Sequence, residues 1–273
     1  MNLNIFNESI NFLLNEAPFN PDVALILGSG LGGFSKSVDI VKTILTTDIP
    51  KYPPSTVEGH SGKIHFAKIG DKKILLFDGR IHFYEGYPLD KCLLSVIFTH
   101  KLNAKYLLIT NAAGGVNPNF SPGDLMLINS FSTLNLKKEL AQTLGVSLLA
   151  QVNSVRAFPD NEFHNIIRNA ANRESVSLHE GSYFFSKGPS YETPAEVQMA
   201  SRLGFDAVGM STVQELIAAS KFGIKVASIS CITNHAAGIT SQKLSHSEVT
   251  ETANRIKSEF ERLVKRIILD LPV

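Results

Sequence analysis

Residues suited to binding a small anion follow an apolar run near position 75. The run KILLF at 73–77 precedes GRIHFYEG at 79–86. Side chains alternate between the faces of an extended strand, so Arg80, His82 and Tyr84 are predicted to point the same way. A permanent cation beside an imidazole and a phenol suits the binding of an oxyanion next to a hydroxylated ligand. The alternative is the solvated face of an edge strand, and this segment alone does not separate the two interpretations.

A second candidate for anion binding is the glycine-rich turn GSGLGG at 28–33, after the apolar run Val23–Leu27. Backbone N–H groups in such a turn can approach an anion. The turn also matches the GxGxxG fingerprint of dinucleotide-binding proteins, and Asp48 lies 20 residues after Gly28, where a ribose-binding acid could stand. The prolines within Ile49–Pro54 argue against this, because a second parallel strand should finish there. An NAD-dependent oxidoreductase remains an alternative function.

Polar residues also occur where other predicted strands end. The segments are TNAAGG at 110–115, GPSYET at 188–193, GMST at 209–212 and ITNH at 232–235. In open α/β sheets, ligands bind outside the carboxyl ends of the strands. Tyr191 can stack on a heterocycle while Glu192 accepts from a ring N–H, and Asn234 offers a ring edge one donor and one acceptor. The plainer interpretations are that Glu192 serves its own helix and that Ser211 is a helix N-cap.

Length and composition indicate a globular protein of ordinary character. The chain has 273 residues, of which 44% are hydrophobic and 19% charged, and its net charge of +1 argues against a nucleic-acid-binding protein. Cys92 and Cys231 lie in apolar runs, which is typical of buried thiols in a reducing compartment. The N-terminal segment lacks a signal-peptide pattern, and no apolar run is long enough for a membrane span. We therefore expect a cytoplasmic protein without a membrane partner.

Strand-like and helix-like segments alternate along the chain, which predicts an α/β fold with a largely parallel sheet. Strands are expected at 23–27, 63–69, 73–77, 106–110, 124–129, 178–186, 206–210 and 225–233, and helices at 89–102, 194–203, 212–222 and 247–271. The Gly70-Asp71 turn should join two strands into a hairpin, so the sheet is expected to be mixed. In the absence of a linker-like segment, residues 1–273 are predicted to form a single domain.

Taken together and in order, eight segments resemble the trimeric, 6-oxopurine-preferring purine nucleoside phosphorylases. They are GSGLGG at 28–33, STVEGH at 55–60, GRIHFYEGY at 79–87, TNAAGG at 110–115, GPSYETPAE at 188–196, AVGMST at 207–212, ITN at 232–234 and LSHSEV at 244–249. The resemblance implies one α/β domain with a twisted mixed sheet flanked by helices. It also implies that a purine nucleoside and phosphate react reversibly to the free base and α-ribose-1-phosphate. Phosphate is then a co-substrate, and neither a cofactor nor a metal is implied.

The resemblance assigns roles to individual residues. Phosphate would be bound by Ser29, His60, Arg80, His82, Ala112 and Ser211. The nucleoside would be bound by Tyr84, Tyr191, Glu192, Met210, Asn234 and His246, and by Phe158 of a neighbouring subunit. The residues that would act in catalysis are His82, Glu192, Asn234 and His246. Glu192 would accept from the N1–H of hypoxanthine or guanine, which predicts inosine and guanosine as substrates over adenosine.

The resemblance fails between residues 128 and 158. Family members usually carry a Ser-Asp-His-Ile-Asn stretch and an Asn-Pro-Leu loop, whereas this chain reads INSFSTLN at 128–135. In the family this region contributes to the subunit contact, so the homotrimer and the role of Phe158 depend on it. Alternatives within the family are a phosphorylase that prefers xanthosine or methylthioadenosine. A nucleoside hydrolase and a non-catalytic nucleoside-binding protein are alternatives outside it.

Overall fold

A mixed β-sheet runs through the computed structural model of this chain. The structure describes residues 1–29, 31–56, 61–145, 158–159, 161–240 and 246–272, without the side chains of 161 and 246–250. The strands are β1 (Val23–Ile26), β2 (Asp39–Leu45), β3 (Lys63–Ile69), β4 (Lys72–Asp78), β5 (Tyr106–Gly115), β6 (Leu125–Phe131), β7 (Leu178–Phe185), β8 (Ala207–Gly209) and β9 (Lys225–His235). The helices are α1 (Asn7–Glu16), α2 (Leu89–Cys92), α3 (Leu94–Lys101), α4 (Lys137–Leu144), α5 (Asn161–Glu174), α6 (Pro194–Arg202), α7 (Val213–Lys221), α8 (His246–Arg255) and α9 (Lys257–Asp270). Short 3₁₀ helices lie at Leu3–Phe6, Gly32–Ser37, Thr46–Asp48 and Phe83–Glu85.

Part of the sheet closes on itself. Within the described residues its strand order is β2-β3-β4-β1-β5-β8-β7-β6-β9, and β9 pairs a second time, with β5. Strands β5, β9, β6, β7 and β8 therefore form a ring, whose contacts mix parallel and antiparallel pairs. The short β8 completes the ring by pairing with the end of β5, where Gly114 faces Val208 and Gly115 faces Ala207. Strand β5 thus belongs both to the ring and to the open part of the sheet.

The central strands and the flanking helices follow from their apolar residues. All four residues of β1 are buried, as expected for a strand that lies in parallel between β4 and β5. The predicted hairpin is confirmed: β3 and β4 are antiparallel, and Gly70 between them has a φ of +58°. Thr193 caps α6 and Pro194 opens it, so this helix begins where it was predicted. Both cysteines, Cys92 and Cys231, are buried free thiols.

Several element boundaries differ from the sequence prediction. Strand β4 ends at Asp78, so the residues after it do not alternate as in a strand. Strand β5 continues past Thr110 to Gly115, because β9 and β8 supply it with hydrogen-bonding partners. The predicted helix at 89–102 breaks at Leu93, and the one at 247–271 breaks at Ile256. Strand β2 and helices α4 and α5 were not predicted at all.

The dinucleotide-binding interpretation of the glycine-rich turn is wrong in its structural premise. That interpretation requires a helix after the turn and then a second parallel strand. Here a short 3₁₀ helix follows at Gly32–Ser37, and β2 then pairs antiparallel with β3.

None of the described helices is long and apolar enough to cross a membrane.

Helix α9 attaches the C-terminal part of the chain to one face of the sheet through Phe260. This side chain is 2% exposed and packs edge-to-face on Phe34, with ring centroids 6.3 Å apart. We expect Phe260→Ala to lower the free energy of unfolding by about 3–5 kcal/mol, because the cavity left behind refills only in part. Leu269 on the same helix is 37% exposed, and Leu269→Ala should change the free energy of unfolding by only about 0.5 kcal/mol. Urea denaturation measures both, and equal effects would contradict this packing.

Candidate active site

A cavity of about 280 Å³ opens where β1, β5 and β9 end. Ten residues predicted from the sequence line it, namely Ser29, Arg80, His82, Tyr84, Ala112, Tyr191, Glu192, Met210, Ser211 and Asn234. They come from six separate segments of the chain, which the topology of the sheet brings to one edge. Such convergence at the carboxyl ends of strands is where α/β proteins bind ligands.

Three other predicted site residues are not placed at the cavity. His60 lies outside the described residues, and so does the side chain of His246, whose backbone begins α8. Phe158 packs within its own chain, with its ring centroid 5.1 Å from Phe131 and 5.5 Å from His164. Its role at a neighbouring subunit stays a prediction.

Arg80 is a buried cation at the wall of the cavity, 3% exposed. Its Nη1 donates to Glu215 Oε2 over 2.9 Å and to Thr212 Oγ1 over 3.2 Å. Its Nη2 donates to the backbone oxygen of Thr110 on β5. The Arg80–Glu215 ion pair is almost fully buried, with both side chains 1% exposed. A buried guanidinium needs such a partner, because an uncompensated charge in the interior is strongly destabilising.

The turn before α7 is held in an unusual backbone conformation. Thr212 has a φ of +80°, which a β-branched residue rarely adopts without compensating contacts. Its N–H donates to Glu215 Oε2 over 3.0 Å, and its Oγ1 accepts from Asn111 Nδ2, also over 3.0 Å. Thr212 is therefore the N-cap of α7, and the interpretation of Ser211 as the cap is wrong. Ser211 instead lines the cavity, with its Oγ 3.2 Å from Thr212 Oγ1.

The glycine-rich turn lies directly against β5, and this contact requires glycine at position 28. A Cβ on Gly28 would lie 2.6 Å from Asn111 Cα and 2.9 Å from the Thr110 oxygen, which is closer than such atoms approach. The Gly28 N–H donates to Thr110 Oγ1 over 3.2 Å, and that hydroxyl donates to the Ile26 oxygen over 3.1 Å. The turn is thereby fixed with Ser29 at the cavity wall.

His82 and Tyr84 reach the cavity by a route that the strand periodicity did not foresee. Because β4 ends before them, they flank the start of the 3₁₀ helix Phe83–Glu85, and their rings stack with centroids 4.8 Å apart. Glu85 fixes this segment: its Oε1 accepts from the His82 N–H over 2.6 Å. Its Oε2 accepts from the N–H of Thr56 over 2.6 Å and from its hydroxyl over 3.0 Å.

The protonation states at this end of the cavity follow from burial and from Glu85. Burial lowers the pKa of His82 below its usual 6.5, and the nearby Arg80 adds to this, while the hydrogen bond to Glu85 opposes it. Burial alone would raise the pKa of Glu85, but the hydrogen bonds from His82 and Thr56 outweigh it and lower this pKa to about 2. Burial raises the pKa of Tyr84 to about 12. At neutral pH, His82 is therefore an uncharged imidazole beside an ionised carboxylate.

Glu192 lines the cavity, and a different carboxylate caps the helix that follows it. The N–H of Thr193 donates to Glu196 Oε2 over 2.7 Å, so Glu196 and not Glu192 makes the capping contact with this helix. Glu192 Oε1 is buried and has no hydrogen-bond partner among the described residues. Burial raises the pKa of this carboxyl group above its usual value.

The amide of Asn234 is oriented by its two neighbours in β9. Its Oδ1 accepts from the Thr233 hydroxyl over 2.9 Å, and its Nδ2 donates to the His235 backbone oxygen, also over 2.9 Å. A primary amide has two N–H groups and two lone pairs, so one donor and one acceptor remain for a ligand. A heterocycle that binds to this amide must therefore carry a hydrogen-bond acceptor next to a hydrogen-bond donor on one edge of its ring.

The sequence analysis missed the residues that hold these groups in place. Thr212, Glu215 and Thr233 were not predicted as site residues, although the Thr-x-x-Glu spacing of the first two signals a helix start.

No group of three or more His, Cys, Asp or Glu side chains that could hold a metal occurs in the described part of the chain. The cavity combines a buried cation with hydroxyl groups, which suit an oxyanion, and a carboxyl group with an amide, which suit a heterocycle.

Comparisons with known proteins identify the family. A family model described as the phosphorylase superfamily matches residues 22–269. The chain is 39% identical to purine nucleoside phosphorylase 1 of Geobacillus stearothermophilus, over 99% of both chains, and 36% identical to purine nucleoside phosphorylase of Bos taurus, over 98% of this chain and 95% of the other.

Solved structures agree with the sequence relatives. The chain resembles Schistosoma mansoni purine nucleoside phosphorylase in complex with adenosine, with a TM-score of 0.88 and 30% identity over 100% of this chain and 99% of the other. It also resembles isoform 2 of that organism's enzyme in complex with cytosine and ribose-1-phosphate, with a TM-score of 0.84 and 32% identity over 97% and 96% of the two chains.

Proposed function

This chain belongs to the phosphorylase superfamily and, within it, to the purine nucleoside phosphorylases, and we propose that it catalyses the reversible phosphorolysis of inosine, guanosine and their 2′-deoxy forms. The products are the free purine and α-ribose-1-phosphate or its deoxy form. One observation supports the proposal: Arg80, to which we assign the phosphate, lines the same cavity as Glu192 and Asn234, to which we assign the base.

Phosphate is proposed to bind at the Arg80 end of the cavity. Arg80 supplies a fixed positive charge, and Ser29, Ser211 and the backbone of Ala112 line the same space. His60 would be a further ligand. Bound there, phosphate attacks the anomeric carbon with inversion, so the bond to the purine nitrogen breaks as the bond to the phosphate oxygen forms. Positive charge that develops on the ribose is stabilised by the adjacent phosphate anion.

The purine is proposed to bind between Glu192 and Asn234, with Tyr191 against its face. The remaining N–H of Asn234 donates to O6, and the remaining lone pair accepts from N7–H, so the base departs protonated and neutral. Ionised Glu192 accepts from N1–H, which hypoxanthine and guanine carry and adenine lacks. The ionised form is the stronger acceptor for that N–H, and it has no hydrogen to donate to the lone pair that adenine carries at N1.

The ribose is proposed to lie between these two ends. Tyr84 and Met210 line the cavity there, and the phenol stays protonated because burial raises its pKa to about 12. Neutral His82 can donate to phosphate or to a ribose hydroxyl without adding charge. His246 is the proposed ligand of the 5′-hydroxyl. Phosphate is the co-substrate, no cofactor is required, and the enzyme is proposed to act in the cytoplasm.

Release of hypoxanthine from inosine, followed by absorbance, tests the reaction. We expect release only when phosphate is present, since phosphate is the nucleophile. Arg80→Ala should lower kcat/KM by at least about 10³-fold, because a charge that binds the attacking anion is lost. Arg168→Ala is the control, because Arg168 pairs with Glu180 at the surface, at side-chain exposures of 38% and 34%. Equal rates without phosphate would indicate a hydrolase, and binding without release would indicate a non-catalytic protein.

Glu192 should determine both the choice of base and the acid limit of activity. The parent should prefer inosine to adenosine by about 10⁴-fold in kcat/KM, and Glu192→Gln should reduce that ratio by at least about 100-fold, because an amide can face either base. Burial raises the pKa of Glu192, so inosine turnover should fall, as pH is lowered, at a higher pH than an ordinary glutamate would cause. Rates with inosine, adenosine, xanthosine and methylthioadenosine across pH measure this, and equal turnover of adenosine would refute the role of Glu192.

We propose that the chain assembles as a homotrimer, in which Phe158 reaches the ribose of a neighbouring site. The resemblance of the eight ordered segments to the trimeric enzymes of this family supports the proposal. Light scattering should give a mass about three times the 29.8 kDa of one chain. Phe158→Ala should raise the KM for inosine and leave the assembly intact. A mass of one chain would overturn the trimer and the shared residue together.

A further inference from the structure

Glu215 lies behind the residues that line the cavity and contacts two of the segments that form its anion-binding end. The side chain is fully buried, at 0% exposure. A single oxygen, Oε2, accepts from Arg80 Nη1 over 2.9 Å and from the Thr212 N–H over 3.0 Å. The other oxygen, Oε1, has no hydrogen-bond partner among the described residues. Burying a carboxylate in this way costs free energy, so a contact of this kind calls for an explanation.

The two groups joined by this oxygen are far apart in the sequence. Arg80 follows β4, whereas Thr212 precedes α7 and directly follows the cavity residue Ser211. Thr212 Oγ1 extends the connection, because it accepts from Arg80 and from Asn111 on β5. The position of the guanidinium relative to the Ser211 hydroxyl is thus set in part by Glu215, which contacts Arg80 and Thr212 through one oxygen, and in part by the direct contact of Arg80 with Thr212 Oγ1.

Helix capping alone does not account for Glu215, as a second helix of the same chain shows. Glu196 occupies the equivalent position in α6 and accepts from the Thr193 N–H over 2.7 Å. That carboxylate is exposed, and the only other described contact of its oxygens is with the Thr193 hydroxyl. Glu215 makes the same capping contact but is buried and also binds a cation. The additional contact with Arg80 is the part that capping leaves unexplained.

We propose that Glu215 is the positioning residue of the phosphate-binding end: it fixes Arg80 and the Ser211–Thr212 turn in one geometry and compensates the buried charge while phosphate is absent. This rests on the proposed function. Without the carboxylate, Arg80 would turn toward other acceptors or draw in water, and the positive-φ turn would lose the contact that stabilises it. The base-binding pair does not depend on this contact, so the loss should be selective for phosphate.

Steady-state phosphorolysis of inosine by the full-length protein tests the proposal, with phosphate and inosine varied separately. Glu215→Gln should raise the KM for phosphate at least about tenfold and leave the KM for inosine within about twofold, since the loss of a buried charge partner is large enough for such a change. Glu196→Gln, the matched capping variant, should change neither value. Glu215→Asp keeps the charge and should recover part of the affinity for phosphate.

Each outcome bears on the proposal. An unchanged KM for phosphate in Glu215→Gln overturns it, and so does an equal rise in both KM values or a rise of the same size in Glu196→Gln. If Glu215→Gln does not fold, Glu215→Asp decides: a selective rise in the KM for phosphate supports the proposal, and parental values refute it. A parent protein that releases no hypoxanthine contradicts the proposed function itself, whereas an active parent with an unaffected Glu215→Gln contradicts only the role of Glu215.

Discussion

A permanently charged guanidinium buried in the protein interior constrains every group around it. Arg80 is 3% exposed, and the surrounding structure supplies a carboxylate, a threonine hydroxyl and a backbone oxygen to it. These partners come from α7, from the turn before it and from β5, so the cation joins elements that are distant in the chain. The positive φ of Thr212 is sustained by the same contacts. The strained backbone of Thr212 and the buried charge of Arg80 therefore occur together, as strain and buried charge often do at functional sites.

Closure of the sheet explains why so many segments meet at one place. Strand β5 pairs with β1 along its first half and with β9 along its whole length, and its last two residues also pair with β8. Its end is consequently surrounded by the loops that follow three other strands. Small residues make this crowding possible: Gly28 touches β5 at a distance that admits no Cβ, and Gly114 lines the cavity. A Cβ on Gly28 would collide with the β5 backbone, whereas one on Gly114 would lie 3.4 Å from Val208 Cγ1, an ordinary contact distance, so of the two only Gly28 is required by a close approach.

The local sequence predicted most residues that line the cavity, but it did not predict the contacts that hold those residues in place. Ten of the residues predicted from motifs and from the resemblance line one cavity, because a strand followed by glycine, serine or asparagine is a local signal. The reason given for Tyr84 was wrong, since β4 ends at Asp78 and the ring enters from a 3₁₀ helix. Glu215 went unrecognised because its partner Arg80 is 135 residues away. Strand β2 was missed for a related reason: most of its residues are exposed, and pairing with β3 rather than its own pattern defines it.

In the proposed complex, the charged groups at the Arg80 end of the cavity would leave the negative charge of phosphate largely uncompensated. Arg80 is already paired with Glu215, His82 is neutral at pH 7 because burial lowers its pKa, and Glu85 is ionised because its hydrogen bonds hold its pKa at about 2. A cluster of unpaired cations would bind phosphate more tightly but would also neutralise it. In the proposed complex, phosphate bound by the Ser29 and Ser211 hydroxyls and by the compensated Arg80 would retain negative charge beside the anomeric carbon. That charge stabilises the transition state more than the ground state, because positive charge on the ribose develops only as the bond to the purine breaks.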